Sequence, residues 1–146
     1  MKMQTKVAPF LANASFAQQV NTDYDRAANF SQYKTYSWEK VQTPDPLSVD
    51  RIKAAVDAAL AAKGWTQVES SGDISIIAIE INRDHQTLNT YTVGTLVVDL
   101  FDAKTKNLVW RGVSSGMLSD KSDKNIENLN RGVQKMFQHF PALKNS

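Results

Sequence analysis

The sequence predicts an α+β fold, a two-layer sandwich in which two helices cover one face of a mainly antiparallel sheet. Three observations predict it. Two segments, "RIKAAVDAALAAKGW" and "NIENLNRGVQKMFQHFP", repeat apolar residues at three-four spacing, which gives each helix a single apolar stripe. Around them run short stretches rich in β-branched and aromatic residues, bounded by polar turns. The resulting order is β-β-α-β-β-β-β-α. Strands joined by short turns pair antiparallel, and two one-sided helices can seal only one face of a sheet.

Residues 1–17, "MKMQTKVAPFLANASFA", read as a signal peptide or a disordered tail, and residues 18–143 as one α+β domain. Lys2 and Lys6 precede an apolar-leaning stretch without an acid, and Ser15-Phe16-Ala17 matches the small-x-small cleavage pattern of secretory signals. A signal here implies a mature chain starting near Gln18 and a periplasmic or otherwise exported protein.

"VNTDYDRAANFSQYKTYSW" gives a short strand at Val20–Tyr24, a polar turn, and a second strand at Lys34–Trp38, whose aromatic residues suit a half-buried pleated surface. "PDPLSVDRIKAAVDAALAAKGW" is the first helix. Asp45 or Ser48 can cap it, Pro46 is tolerated in its first turn, and Ile52, Ala55, Val56, Ala59 and Leu60 form its stripe. Gly64 ends it where a left-handed residue is wanted. "WTQVES" is the next strand and "SGD" turns it. "ISIIAIEIN" follows, apolar on both sides at first and therefore central, becoming half-exposed near Glu80. "RDHQTLNT" reads as a connecting loop.

"YTVGTLVVDLFDAKTKNLVWRGVSSG" is a hairpin. Asp102 can accept backbone N–H groups in the turn, and Lys106 or Asn107 takes the left-handed position. If Asp102 faces Asn107, Asp99 lies opposite Trp110, although a one-residue slip would change every partner. Asp99 and Asp102 are three apart, so a regular strand points them to opposite faces and they cannot converge as a carboxylate pair. Trp110 reads as sheet packing. The last helix follows, with Ser122 or Asp123 as cap, a stripe through Ile126, Leu129, Val133, Met136, Phe137 and Phe140, and Pro141 as stop. Gly132 inside it costs about 1 kcal/mol of propensity relative to alanine, which a close approach to the sheet would explain.

Composition narrows the function classes. The net charge is +2; without Lys2 and Lys6 the Lys+Arg count of 17 falls to 15 and equals Asp+Glu. A near-neutral domain argues against a nucleic-acid partner, and no run is apolar enough to be a transmembrane segment. Cysteine is absent, which excludes disulfides, thiolate metal sites, thiol nucleophiles and lipid attachment through cysteine. Asp84 and His85 adjoin but make no coordination sphere, and His139 reads as a helix C-terminal cation. The serines lack a Gly-x-Ser-x-Gly frame, and the glycines are too scattered for a phosphate cradle.

The hairpin, with "VNTDYDRAANFSQYKTYSW", "RIKAAVDAALAAKGW" and "VQKMFQHFP" in order around it, resembles an uncharacterised bacterial envelope family, domain of unknown function 4136, from Val20 to Pro141. The resemblance implies export and an α+β fold, often with a lipid anchor, and carries over no catalytic residue. This chain departs from the pattern in lacking the cysteine that would take a lipid. Its "NRDHQTLNT" connection is also short, where relatives often carry a long Gly- and aromatic-rich insertion. The leading expectation is thus a non-catalytic envelope domain, without catalytic, metal or cofactor residues, that binds a protein partner or cell-surface component. Its contact candidates are Arg83, Asp84, His85 and Tyr91. A small apolar-ligand or lipid carrier is the first alternative and a hydrolase using loop acids the second; the oligomeric state is open.

Overall fold

The computed structural model describes residues 18–86 and 88–141. The predicted signal, residues 1–17, and the last two residues of the expected domain, 142–143, lie outside the described residues. The chain forms β1 (Gln19–Tyr24), β2 (Thr35–Gln42), α1 (Ser48–Ala62), β3 (Thr66–Gln67), β4 (Ile74–His85), β5 (Tyr91–Asp102), β6 (Leu108–Met117) and α2 (Ser122–Met136), in the expected order. Short 3-10 turns at Phe30–Gln32 and Phe137–His139 complete it.

The strands build one six-stranded sheet in the order β1-β6-β5-β4-β2-β3. The pairs β1/β6, β6/β5 and β5/β4 are antiparallel, whereas β4/β2 and β2/β3 are parallel. Two pairs of strands adjacent in sequence, β1/β2 and β3/β4, are therefore not neighbours in the sheet, the second against the expectation that strands joined by a short turn pair. β1 pairs with β6 rather than β2, because the connection after Tyr24 is drawn under the sheet by Phe30, which is buried edge-on against Tyr33 and Phe140. β3 is reduced to two residues and pairs with β2, since α1 acts as a crossover between parallel strands. β4 runs on past the end of β2, whose last partner is Ile79, so Glu80–His85 pair only with β5. The β4–β5 hairpin projects from the sheet.

Both helices lie on one face. Ile52, Val56 and Leu60 of α1 and Val133 and Met136 of α2 pack onto Ile74, Ile76, Ala78, Val98, Leu100 and Trp110, all essentially inaccessible. Burial of each such aliphatic side chain contributes about 1.5–3 kcal/mol. Trp110 stacks on Phe137 at 4.6 Å, and Phe140 meets Trp65, Trp110 and Phe30 edge-on, closing one end of the core. Asp57 ties α1 to β2 by accepting from Tyr36 Oη at 2.7 Å and Trp38 Nε1 at 2.9 Å. Burial first, and then that bond, push the Tyr36 hydroxyl pKa up.

The helix ends differ from expectation. Neither Ser48 nor Ser122 caps: the cap positions are Leu47 and Lys121, without a side-chain bond. Asp45 instead accepts the Leu47 N–H at 3.0 Å, folding the chain just ahead of α1. Gly64 takes the left-handed φ of 88°. A Cβ on Gly132 would stand 3.1 Å from Ser114 Cβ and closer still to its hydroxyl, so α2 touches β6 at this point.

Asp73 joins the start of β4 to the start of β2, accepting from the N–H groups of Lys34 at 2.9 Å and Thr35 at 3.1 Å. Asp102 closes the β5–β6 turn, accepting from the N–H groups of Lys104 at 2.8 Å and Thr105 at 3.1 Å and from Tyr33 Oη at 2.8 Å. Backbone donors are the first cause holding both carboxyls below their ordinary 3.8, with Lys34 leading for Asp73 and Thr105 for Asp102. A carboxyl that binds protons more weakly in the folded chain stabilises it above the ordinary value, and that stability is lost as acid carries the pH through the lower folded value. The thermal midpoint followed by circular dichroism should therefore fall between about pH 5 and pH 2. Asp73→Asn and Asp102→Asn should each lower the midpoint at pH 7 and flatten the acid slope. Gly132→Ala should destabilise by about 1–3 kcal/mol in urea melts despite alanine's better helix propensity, and Ser114→Gly in the same chain should restore most of the loss.

Candidate functional site

With both helices on one side, strand alternation decides what the other side shows. The registers place Phe101, Val97 and Val93 of β5 beside Ile77, Ile79, Ile81 and Arg83 of β4, with Val113 and Met117 of β6 completing the surface. Most of these side chains are half-buried by one another; Ile81 is 44% exposed and Met117 36%. The flanking strands present polar groups in the same rows: Gln19, Asn21 and Asp23 from β1, Lys40 and Gln42 from β2. An apolar band, interrupted by the Thr95–Ser115 hydroxyl pair at 3.0 Å and bordered by Ser75, which donates to Glu39 at 2.7 Å, thus runs along the middle of the uncovered face between polar margins. A sheet that met only water would show polar residues there.

One charge pair lies inside the band. Asp99 is 8% exposed, flanked by Ile77 on β4 and Arg111 on β6. Arg111 donates from Nε to Oδ1 at 2.7 Å and from Nη2 to Oδ2 at 2.8 Å, a bidentate fork between neighbouring strands on the outer face. That bond is the first cause raising the guanidinium pKa above its ordinary value. The register behind it differs from expectation. Asp102 does face Asn107, donating its N–H to the Asn107 carbonyl at 2.9 Å, but an irregularity between Leu100 and Phe101 shifts the pairing. Asp99 therefore opposes Arg111, not Trp110, which opposes Leu100. Lys106 takes the left-handed position, with φ 69°. Asp102 lies on the helix side and, through its bond, contributes after burial to pushing the Tyr33 hydroxyl up to about 12. The two acids sit on opposite faces.

The four contact candidates gather at the projecting end of the β4–β5 hairpin. The loop expected at Arg83–His85 is strand, because β5 continues to pair with these residues after β2 has ended. His85 stacks on Tyr91 at 5.3 Å, and both share the outer face with Arg83 and Val93. Asp84 points to the other face and accepts from Thr92 Oγ1 at 2.6 Å. Three of the four thus share the face of the apolar band, at its end, and the fourth does not. The band itself was missed by sequence reasoning; its trace was the apolar residues on both sides of "ISIIAIEIN".

On the helix side a groove of ≈ 470 Å³ opens where α1 begins and α2 passes. Its floor is Glu80, Asn82, Gly94, Leu96 and Ser114, and Asn125, Asn128 and Arg131 rise along one wall. Gln18 Nε2 donates to the Asn128 carbonyl at 2.6 Å, while Gln18 Oε1 is buried without a partner. Val56, Leu60, Met136 and Phe137 are fully buried in the packed core and do not line it. Among the described residues no group of three or more His, Asp or Glu could hold a metal, and no helix is long and apolar enough to cross a membrane.

The family described as "Domain of unknown function (DUF4136)" matches residues 20–142, and the chain belongs to it. No curated protein matches the chain. Among solved structures, the chain is similar to the PelC dodecamer from Paraburkholderia phytofirmans, with a TM-score of 0.64 and 10% identity over 88% of this chain and 100% of that chain. It is also similar to a PDZ domain protein from Parabacteroides distasonis, with a TM-score of 0.62 and 14% identity over 97% of this chain and 41% of that one. At such identities the likeness is one of fold.

Replacing Arg111 alone leaves the Asp99 carboxylate poorly hydrated and unpaired. Arg111→Met should therefore destabilise by about 1–3 kcal/mol in urea denaturation. Asp99→Thr combined with Arg111→Thr should return to within about 1 kcal/mol of wild type.

Proposed function

We propose that this member of the DUF4136 family is an exported, non-catalytic cell-envelope domain that docks a protein partner on the open face of its sheet. The observation that carries the reading is the apolar band of Ile77, Ile79, Ile81, Val93, Val97 and Phe101 between polar margins. Contiguous apolar surface of this kind marks interaction sites in soluble proteins. Export is supported by Lys2 and Lys6 ahead of an apolar stretch and by Ser15-Phe16-Ala17. The PelC dodecamer, a protein of the same fold, is an instance of this architecture in an assembly.

The two alternatives have less support. The groove mixes polar and apolar lining in about equal measure, carries Glu80, Asn82, Asn125, Asn128 and Arg131, and lies apart from the apolar interior, which suits a lipid carrier poorly. Asp99 is locked to Arg111 on one face and Asp102 to Tyr33 on the other, so the acids do not form a hydrolytic pair.

Photo-crosslinking amino acids installed at Ile79 and Val113, with Ala58 on the exposed side of α1 as control, test the reading in cells. Protein adducts should form from the two sheet positions and not from Ala58. Adducts confined to Ala58, or none at all, overturn it.

A further inference from the structure

We infer that the partner on the open face is a second copy of this chain, packed sheet against sheet about a two-fold axis. The inference rests on the docking role proposed for that face and names its occupant.

Shape comes first. Both helices lie on the other side, so nothing walls the outer face into a groove for a partner helix. Its centre is made chiefly of β-branched side chains, Ile77, Ile79, Ile81, Val93 and Val97, which are stiff and form a flat pleated surface. The natural complement of such a surface is another pleated surface, at about 10 Å and roughly aligned.

Area comes second. Five strands spaced by about 4.8 Å and about ten residues long at about 3.3 Å per residue give a whole outer face, margins included, on the order of 800 Å² per copy. Full overlap of two copies then removes up to about 1,600 Å² from water, which lies within the range of stable interfaces. The layout also has the anatomy of an interface, with an apolar centre on β4 and β5 and a polar rim of Asn21 and Asp23 on one flank and Lys40 and Gln42 on the other.

Charge comes third. Asp99 and Arg111 already neutralise one another within the face, so a covering copy buries no unpaired charge at the centre. Arg83 lies farther along β4 at the end of the face, and the centre of the patch, with its charge cancelled, has no sign with which to select an acidic or basic partner. Its identical apolar twin is present at equal concentration by construction, and a symmetric dimer requires only that one patch match itself.

The absence of cysteine makes the test clean. The purified chain should sediment as a dimer at about 10–100 μM, and Ile81→Lys, at an already exposed position, should weaken association tenfold or more. Ile79→Cys should form an intermolecular disulfide on mild oxidation, whereas Ala58→Cys should not. Circular dichroism confirms that each variant folds, and Met117→Lys replaces Ile81→Lys if that variant does not. A chain that stays monomeric throughout, or crosslinks as well from Ala58→Cys, overturns the inference. A monomer in vitro with photo-adducts of foreign mass from Ile79 in cells overturns the second copy while leaving the docking role intact.

Discussion

Both helices cover the same face of the sheet, and the rest of this structure depends on that geometry. The stripes of α1 and α2 are spent on Ile74, Ile76, Ala78, Val98, Leu100 and Trp110, the inward positions of the three central strands. At about 1.5–3 kcal/mol for each fully buried aliphatic side chain, this layer dominates the favourable side of folding. Gly132 shows how closely it is built, because the helix meets β6 where a single methyl group would collide with Ser114. The outward positions of the same strands receive nothing from the chain itself.

The bulge in the β5–β6 hairpin decides what that outward surface can tolerate. Without the shift between Leu100 and Phe101, Asp99 would sit opposite Trp110, and a poorly hydrated carboxylate would lack a counter-charge. With it, Arg111 comes directly alongside and forms a two-bond fork. One extra residue in one strand therefore converts an electrostatic liability into a neutral tile within an apolar band. The turn that anchors this register is held by Asp102, whose carboxylate gathers two backbone donors and the Tyr33 hydroxyl on the helix side.

The elements legible in the sequence were those defined by local pattern: both helices, the hairpin, and the left-handed residues at Gly64 and Lys106. Strand neighbours were not legible, because pairing of β1 with β6 depends on Phe30 reaching an aromatic cluster built from residues far along the chain. Arg83–His85 read as loop because polar residues without a period carry no strand signal; they are strand only because β5 pairs with them where β2 has stopped. The bulge was equally hidden, since register in a hairpin is a contest between turn geometry and face pattern. The apolar second side of "ISIIAIEIN" was visible, yet it reads as a doubly covered central strand until the missing second layer is known.

At the far end of β4 the distribution of water-loving and water-avoiding groups on the two faces is the reverse of that in the core. The helix-covered side becomes polar at one end, where Glu80, Asn82 and Ser114 occupy inward positions and leave a groove. The uncovered side stays apolar along the same strands, so residue by residue β4 alternates Ile79, Glu80, Ile81, Asn82 with the apolar members facing outward. The inward polar groups reach water through the groove, so what remains uncompensated in the chain is the exposure of the outward isoleucines. That uncompensated exposure is the physical cost on which the proposed docking role of the outward face rests.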